Sequence, residues 1–168
     1  MPDRIKVLDK LTGFNADKDR LFSFQDYVAS AVRSFLEKDG YAVPIFFVFL
    51  KDQVDMVRIN TSTEEIYQQE LLDMKSLLER ERPEAALFVS EIWYVNFITN
   101  QPPPPDMLPS NSKERKEAVV VELRSRTFSR ALLVPFTRSD GKVLHIVRTK
   151  EELNINNVTN WSGNAFES

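Results

Sequence analysis

The chain has no cysteine and little histidine or glycine. Its 168 residues include one histidine, His145, and four glycines. Without thiols it has no disulfide, zinc–thiolate site, iron–sulfur cluster or cysteine nucleophile. A single histidine excludes motifs that need two histidine ligands, and so few glycines leave no glycine-rich phosphate-binding loop. We therefore expect no metal site, no cofactor and no common catalytic motif.

Long apolar runs are also absent. No run approaches the roughly 20 apolar residues that span a bilayer, and the longest, residues 41 to 50, has the length of a strand. The chain is charged from Asp3 onward and lacks the apolar core of a signal peptide. The net charge is -3, with 42% apolar and 28% charged residues, as in ordinary globular domains. We expect a soluble cytoplasmic protein with no membrane partner.

The spacing of apolar residues predicts two helices. Ser23 and Asp26 resemble a capping box at the start of the first, over residues 23 to 39, and Gly40 is placed to end it. A second capping box opens the helix over residues 62 to 81. Its apolar stripe consists of Tyr67, Leu71, Met74 and Leu78.

Apolar, β-prone runs predict the strands. They cover residues 43–50, 55–59, 85–98, 118–123, 131–136 and 143–147. The order α-β-β-α-β-β-β-β predicts one α+β domain over residues 1–150, with a largely antiparallel sheet packed against two helices. This order resembles that of profilin-like and roadblock-type modules. Residues 151–168 are rich in asparagine and predict a flexible tail, which Trp161 and Phe166 can dock.

A proline-rich loop separates two of these strands, over residues 99–117. Its four successive prolines predict a stiff polyproline II segment, in which Pro102 and Pro105 match the P-x-x-P pattern that SH3 modules bind. The loop therefore either recruits a partner or crosses the surface between strands.

One stretch carries a family resemblance. Arg82-Pro83-Glu84-Ala85-Ala86, Ser90-Glu91-Ile92-Trp93, Pro109-Ser110 and Arg115-Lys116-Glu117 together resemble uncharacterised bacterial and phage proteins. The resemblance covers residues 82 to 148. It implies a prokaryotic or phage source and assigns no catalytic residue.

Three titratable residues in apolar strands are candidates for acid–base chemistry. Glu91 and Glu122 form an acid–base pair if their strands bring them face to face, and His145 is a candidate base. The same pattern fits glutamates paired with arginines and a histidine with a structural hydrogen bond, so both interpretations stay open.

Basic residues concentrate between residues 113 and 138. Seven basic and three acidic residues make this segment +4, so the remainder of a chain of net charge -3 carries -7. The candidates for an anion-binding or nucleic-acid-binding face are Arg115, Arg124, Arg126 and Arg130, with Phe128 as a stacking partner. The alternative is a sheet face kept soluble by arginine.

These patterns favour a non-enzymatic binding or assembly module. We expect a homo-oligomer, such as a homodimer, or a protein partner. Contact is expected through the sheet face or the proline loop, with Trp93, Tyr94, Phe97 and Phe128 as anchors. The alternative is a small enzyme or an anion-, nucleotide- or nucleic-acid-binding protein that uses Glu91, Glu122, His145 and the arginines.

Overall fold

The computed structural model describes residues 2–9, 17–94, 116–139, 142–146, 151–153 and 160–167. It confirms the predicted α+β fold with an antiparallel sheet. The elements are β1 (Asp3–Asp9), α1 (Lys18–Asp39), β2 (Ile45–Phe49), β3 (Gln53–Arg58), α2 (Glu64–Glu81), β4 (Ala85–Tyr94), β5 (Lys116–Ser125), β6 (Ser129–Ser139), β7 (Lys142–Ile146) and β8 (Glu151–Leu153).

All strands join one sheet, in the order β1-β3-β2-β4-β5-β6-β7, and β8 also pairs with β6. Every pairing is antiparallel. The predicted hairpin between the first two expected strands forms between β2 and β3, and the one predicted around Asp140 and Gly141 joins β6 to β7. That turn itself lies outside the described residues.

The two helices pack on opposite faces of the sheet, because successive strand side chains point to alternate faces. Phe49, Leu87 and Val121 belong to the core under α1. Phe46, Val48 and Phe88 belong to the core under α2, together with its buried residues Met74, Leu77 and Leu78. Burial on both faces explains why the central strands are apolar along their whole length.

The start of α1 corrects the prediction of a cap at Ser23. Asp17 caps the helix, and its side chain accepts a hydrogen bond from the Arg20 backbone N–H at 3.0 Å. The earlier start places Leu21 in the buried stripe of the helix. At the other end Gly40 has φ 77°, a left-handed conformation that favours glycine, as predicted.

Helix α2 begins and ends close to the predicted positions. Its N-cap is Thr63, whose hydroxyl accepts a hydrogen bond from the Ile66 backbone N–H at 3.1 Å. Arg82 ends it in a left-handed conformation, directly before Pro83. No helix in the described ranges is long and apolar enough to cross a membrane.

Two strands lie outside the predicted set. Strand β1 forms one edge of the sheet, where Arg4 reaches across to Asp55 and Glu81. Strand β8 and residues 160–167 lie in the segment predicted as a tail. Trp161 and Ala165 of that segment are buried in the core under α2.

Candidate protein-binding surface

On the α1 side, the sheet has a covered half and a more open half. In the more open half, Phe49 and Val54 at one end are buried, whereas Phe47, Met56 and Ile5 are partly or largely exposed. Helix α1 contacts β5, β6 and β7, which lie toward one edge of the sheet. One row of cross-strand partners runs from β5 in the covered half to β1 at the opposite edge. The burial of its residues shows where the covered half ends. In order the row contains Leu123, Leu87, Phe47, Met56 and Ile5. The first two are fully buried, the next two are partly buried, and Ile5 is 51% exposed.

One flank of α1 faces the open half. Phe24 marks this flank, because its ring lies 5.1 Å from the ring of Phe47 and 5.5 Å from that of Phe49, both on β2. Residues 7 and 11 positions further along a helix lie on nearly the same side. Ala31 and Phe35 therefore continue the flank of Phe24.

Large apolar side chains on this flank are exposed to solvent. Phe35, on this flank, is 53% exposed, and Tyr27, about 60° round the helix toward its outer side, is 70% exposed. These side chains and the outer half of the sheet form a concave surface, with α1 along one side and the strands at its base. We call it the open surface, formed by Ile5, Phe24, Tyr27, Ala31, Phe35, Phe47 and Met56.

The other flank of α1 is tied to β6 by Arg130. This arginine donates hydrogen bonds to Gln25 Oε1 at 2.7 Å, to the Phe22 carbonyl at 2.9 Å and to Asp26 at 3.0 Å. Its guanidinium lies 4.1 Å from the Phe22 ring centroid. Gln25 in turn donates to the carbonyls of Val121 and Arg130, at 2.8 Å each. The structure therefore places this predicted anion-binding residue in the packing of helix on sheet.

Arg124 lies on the opposite face, beside the predicted site residue Glu122. Glu122 is fully buried, and its Oε2 accepts hydrogen bonds from Trp161 Nε1 and from Arg124, at 2.9 Å each. Arg124 also donates to Ser162 Oγ at 2.9 Å and lies 4.6 Å from the Trp161 ring centroid. This cluster fastens residues 160–167 to the sheet.

The environment of Glu122 alters its protonation. Burial raises the pKa of its carboxyl group, while the Trp161 hydrogen bond and the charge of Arg124 oppose that rise. Its Oε1 is also buried and accepts no hydrogen bond from the described residues. The cluster therefore holds a carboxylate whose negative charge is only partly stabilised.

The structure does not bring Glu91 and Glu122 together. Glu91 pairs in register with Val119, which belongs to the α1 face, whereas Glu122 pairs with Phe88 on the α2 face. Glu91 Oε1 accepts a hydrogen bond from the Ala42 backbone N–H at 2.9 Å. The two carboxylates therefore lie on opposite faces of the sheet.

Two further predicted residues lie around the turn between β5 and β6. Arg126 is exposed and donates a hydrogen bond to the Arg82 carbonyl at the end of α2, at 3.0 Å. Phe128 is partly buried, and its ring packs edge-on against Phe22, with 5.7 Å between centroids. Neither residue belongs to the open surface.

Several predicted residues lie outside the part of the chain that the structure describes. These are Phe97 of the strand predicted over residues 85–98, Pro102, Pro105 and Arg115 of the predicted loop, and the side chains of Trp93, Tyr94 and His145. Their predicted roles stay predictions.

The sequence analysis did not single out the open surface. The apolar spacing of α1 includes Phe24 and Phe35, but only the position of the helix over the sheet shows which rings stay exposed. The available sequence signal is Tyr27, a large ring at a position outside the buried stripe of the helix. The structure shows that this ring is exposed.

Comparisons with known proteins identify no relative. No protein-family model, curated protein or solved structure matches this chain. The resemblances to profilin-like and roadblock-type modules and to bacterial and phage proteins stay predictions.

Proposed function

We propose that this chain is a non-enzymatic assembly module that binds protein through the open surface, and that a second copy of the chain is its partner. The observation that carries the proposal is the pair of exposed aromatic rings, Tyr27 and Phe35, together with the partly exposed sheet residues Phe47 and Met56 and the exposed Ile5. Contiguous exposed apolar surface is typical of interaction sites in soluble proteins.

The shape of the surface favours a second copy. Each chain has a helix that stands beside a partly exposed sheet surface. A two-fold axis running along the helix direction places α1 of one copy on the open half-sheet of the other. Each copy then covers the open surface of its partner, as a closed two-fold interface requires.

The amount of apolar surface fits an interface of standard size. Aromatic side chains bury about 150–250 Å² each, and a standard interface buries about 800 Å² on each partner. Tyr27, Phe35 and Ile5, which are 70%, 53% and 51% exposed, supply part of that area. Ser23, Ser30 and Ser34 are exposed on the outer side of α1 and let another backbone approach closely.

The alternative of anion or nucleic-acid binding has less support. Arg124 and Arg130 lie on opposite faces, and each already contacts protein groups. An anion site built from both would need side chains that converge on one place. The two candidate arginines in described strands, Arg124 and Arg130, therefore offer no common face.

Sedimentation velocity over a wide concentration range tests the proposal. We expect a species of twice 19.5 kDa to accumulate as concentration rises. Tyr27→Glu should weaken this association by about tenfold or more, since central aromatic residues dominate interface energies. Tyr27 is mostly exposed within one chain, so the variant should fold normally.

Leu72→Glu is the matched control. Leu72 is an exposed apolar residue on α2, remote from the open surface, and receives the same charge. It should leave the association unchanged. A chain that remains monomeric at all concentrations, or a Leu72→Glu variant that dissociates as much as Tyr27→Glu, would contradict the proposal.

A further inference from the structure

A cleft separate from the open surface lies where three elements meet. It has a volume of about 330 Å³. Its walls are the segment that leads into β2, the first turns of α2 and the far end of β4. Its lining shares no residue with the open surface, so the two can be tested independently.

The chemistry of this cleft is acidic and aromatic. Its described lining includes two carboxylates, Glu64 and Glu91, and two phenol rings, Tyr41 and Tyr67, but neither lysine nor arginine. Tyr41 is 56% exposed, and Tyr67 is half-buried. Carboxylates combined with aromatic rings favour an organic cation.

The two carboxylates are held in place. Glu91 Oε1 is fixed by the Ala42 backbone N–H at 2.9 Å, and Glu64 Oε1 accepts from the Gln68 amide at 2.8 Å. Burial raises the pKa of the Tyr67 hydroxyl, and the charges of Glu64 and Glu91 raise it further. Both carboxylates therefore act on the same ring.

We propose that this cleft binds the cationic head of a basic side chain, a guanidinium or an alkylammonium group. The proposal requires the negative charge of the cleft and does not require a vacant oxygen on Glu91, which makes other contacts. The exposed Glu64 supplies the acceptor nearest to solvent, and the phenol rings contact the alkyl stem and the face of the cation.

An organic cation fits this lining better than a metal ion. Metal sites in proteins use several converging carboxylate or imidazole ligands. No group of three or more such residues occurs in the described ranges. Phenol rings add nothing to a hard cation's oxygen shell but stabilise a guanidinium or ammonium group.

Titration with N-acetyl-arginine methylamide, followed by calorimetry and by the NMR shifts of Tyr41 and Tyr67, tests the proposal. We expect a Kd on the order of 1 mM for a single side chain. The lysine analogue should bind as well, because both end in a cation. N-acetyl-citrulline methylamide, of nearly the same shape but neutral, should not bind.

Two charge-removing variants locate the site. Glu64→Gln and Glu91→Gln should each weaken binding of the arginine analogue by about fivefold, the upper range for a partly exposed ion pair. Glu91→Gln retains an oxygen for the Ala42 N–H, so the local fold is preserved. Glu65→Gln removes the same charge from an exposed neighbour outside the cleft and is the matched control.

The titrations distinguish results that support the cation site from results that contradict it. Binding that depends on Glu64 and Glu91 but not on Glu65 supports the proposal. Equal binding of the citrulline analogue, equal loss in Glu65→Gln, or no shift of Tyr41 and Tyr67 at saturating probe would each overturn it. None of these results depends on whether two copies associate, so failure here leaves the proposed assembly function untouched.

Discussion

The two halves of one sheet face share a residue pattern and differ in what covers them. Leu87 and Ile5 belong to the same cross-strand row on the α1 side. Leu87 is fully buried, whereas Ile5 is 51% exposed. Strand alternation puts both on one face, but the position of α1 decides which becomes core. The comparison shows that the position of an apolar residue along a strand tells which sheet face it lies on. It does not tell whether another element covers that face.

The largest expected effect is a difference in unfolding free energy between truncations in the covered half and in the open half. Leu87→Ala should lower the free energy of unfolding by about 2–5 kcal/mol, because it leaves a cavity in packed core. Ile5→Ala, in the same row, should change the monomer by no more than about 0.5 kcal/mol. Chemical denaturation at low protein concentration measures both. Equal losses would show that the outer half is packed as tightly as the inner one.

A smaller effect should come from Arg130 of β6, whose hydrogen bonds hold α1 on the covered half. We call this set of hydrogen bonds the tether. Arg130→Met removes three hydrogen bonds and leaves Gln25 Oε1 without its donor in the interior. We expect a loss of about 1–3 kcal/mol, the cost of an unsatisfied buried group. The same denaturation measurement applies. Arg126→Met, at an exposed turn, is the control and should be near neutral.

This tether also distinguishes packing from anion binding. If Arg130 only joins α1 to β6, added phosphate should not raise the melting temperature of the wild type relative to Arg130→Met. A phosphate-dependent stabilisation that disappears in Arg130→Met would contradict the structural role and support the anion-binding interpretation.

On the α2 face, Glu122 should make stability depend on pH. Burial raises the pKa of its carboxyl group in the folded chain above the usual value of a glutamate. The folded state then holds this proton more tightly than the unfolded state, so its contribution to stability is full below the unfolded pKa. It is lost as pH rises through the folded pKa.

Glu122→Gln removes this titration. The stability of the variant relative to wild type should therefore increase as pH rises above about 4.3, the pKa of an unperturbed glutamate, whatever constant offset the lost ion pair with Arg124 adds. Thermal unfolding at a series of pH values measures the difference. A constant difference across the series, or one that falls with rising pH, would contradict the direction of the shift.

The smallest expected effect on stability belongs to the open surface. Phe35→Glu should change monomer stability by no more than about 0.5 kcal/mol, because the ring is 53% exposed. It should nevertheless weaken association, as expected for Tyr27→Glu. Denaturation at low concentration, paired with sedimentation, measures the two effects separately. A large loss of monomer stability would place Phe35 in the core.

Much of the fold follows from local pattern. The caps at Gly40 and Thr63 and the apolar strands are encoded within a few residues of where they act, so the order from α1 to β7 was predictable. Strand β1 was not predicted, since the exposed and charged residues Asp3, Arg4 and Lys6 give its first half no apolar alternation.

The contacts that define sites are long-range and left little trace in the sequence. Gln25 and Arg130 are 105 residues apart, and Glu122 and Trp161 are 39 apart. The sequence identified Glu122 as unusual and Trp161 as able to dock, but only the fold shows that each is the other's partner. The open surface could not be predicted from the sequence for the same reason, since the exposure of its side chains depends on where α1 lies over the sheet.

The most direct test of the account asks whether the open surface is covered when two copies meet. The chain has no native cysteine, so Ala31→Cys on the helix flank can be alkylated specifically. We predict that its alkylation slows as protein concentration rises, while that of Ser76→Cys, exposed on α2, does not. Rates for Ala31→Cys that stay constant over the whole concentration range would contradict the assembly function.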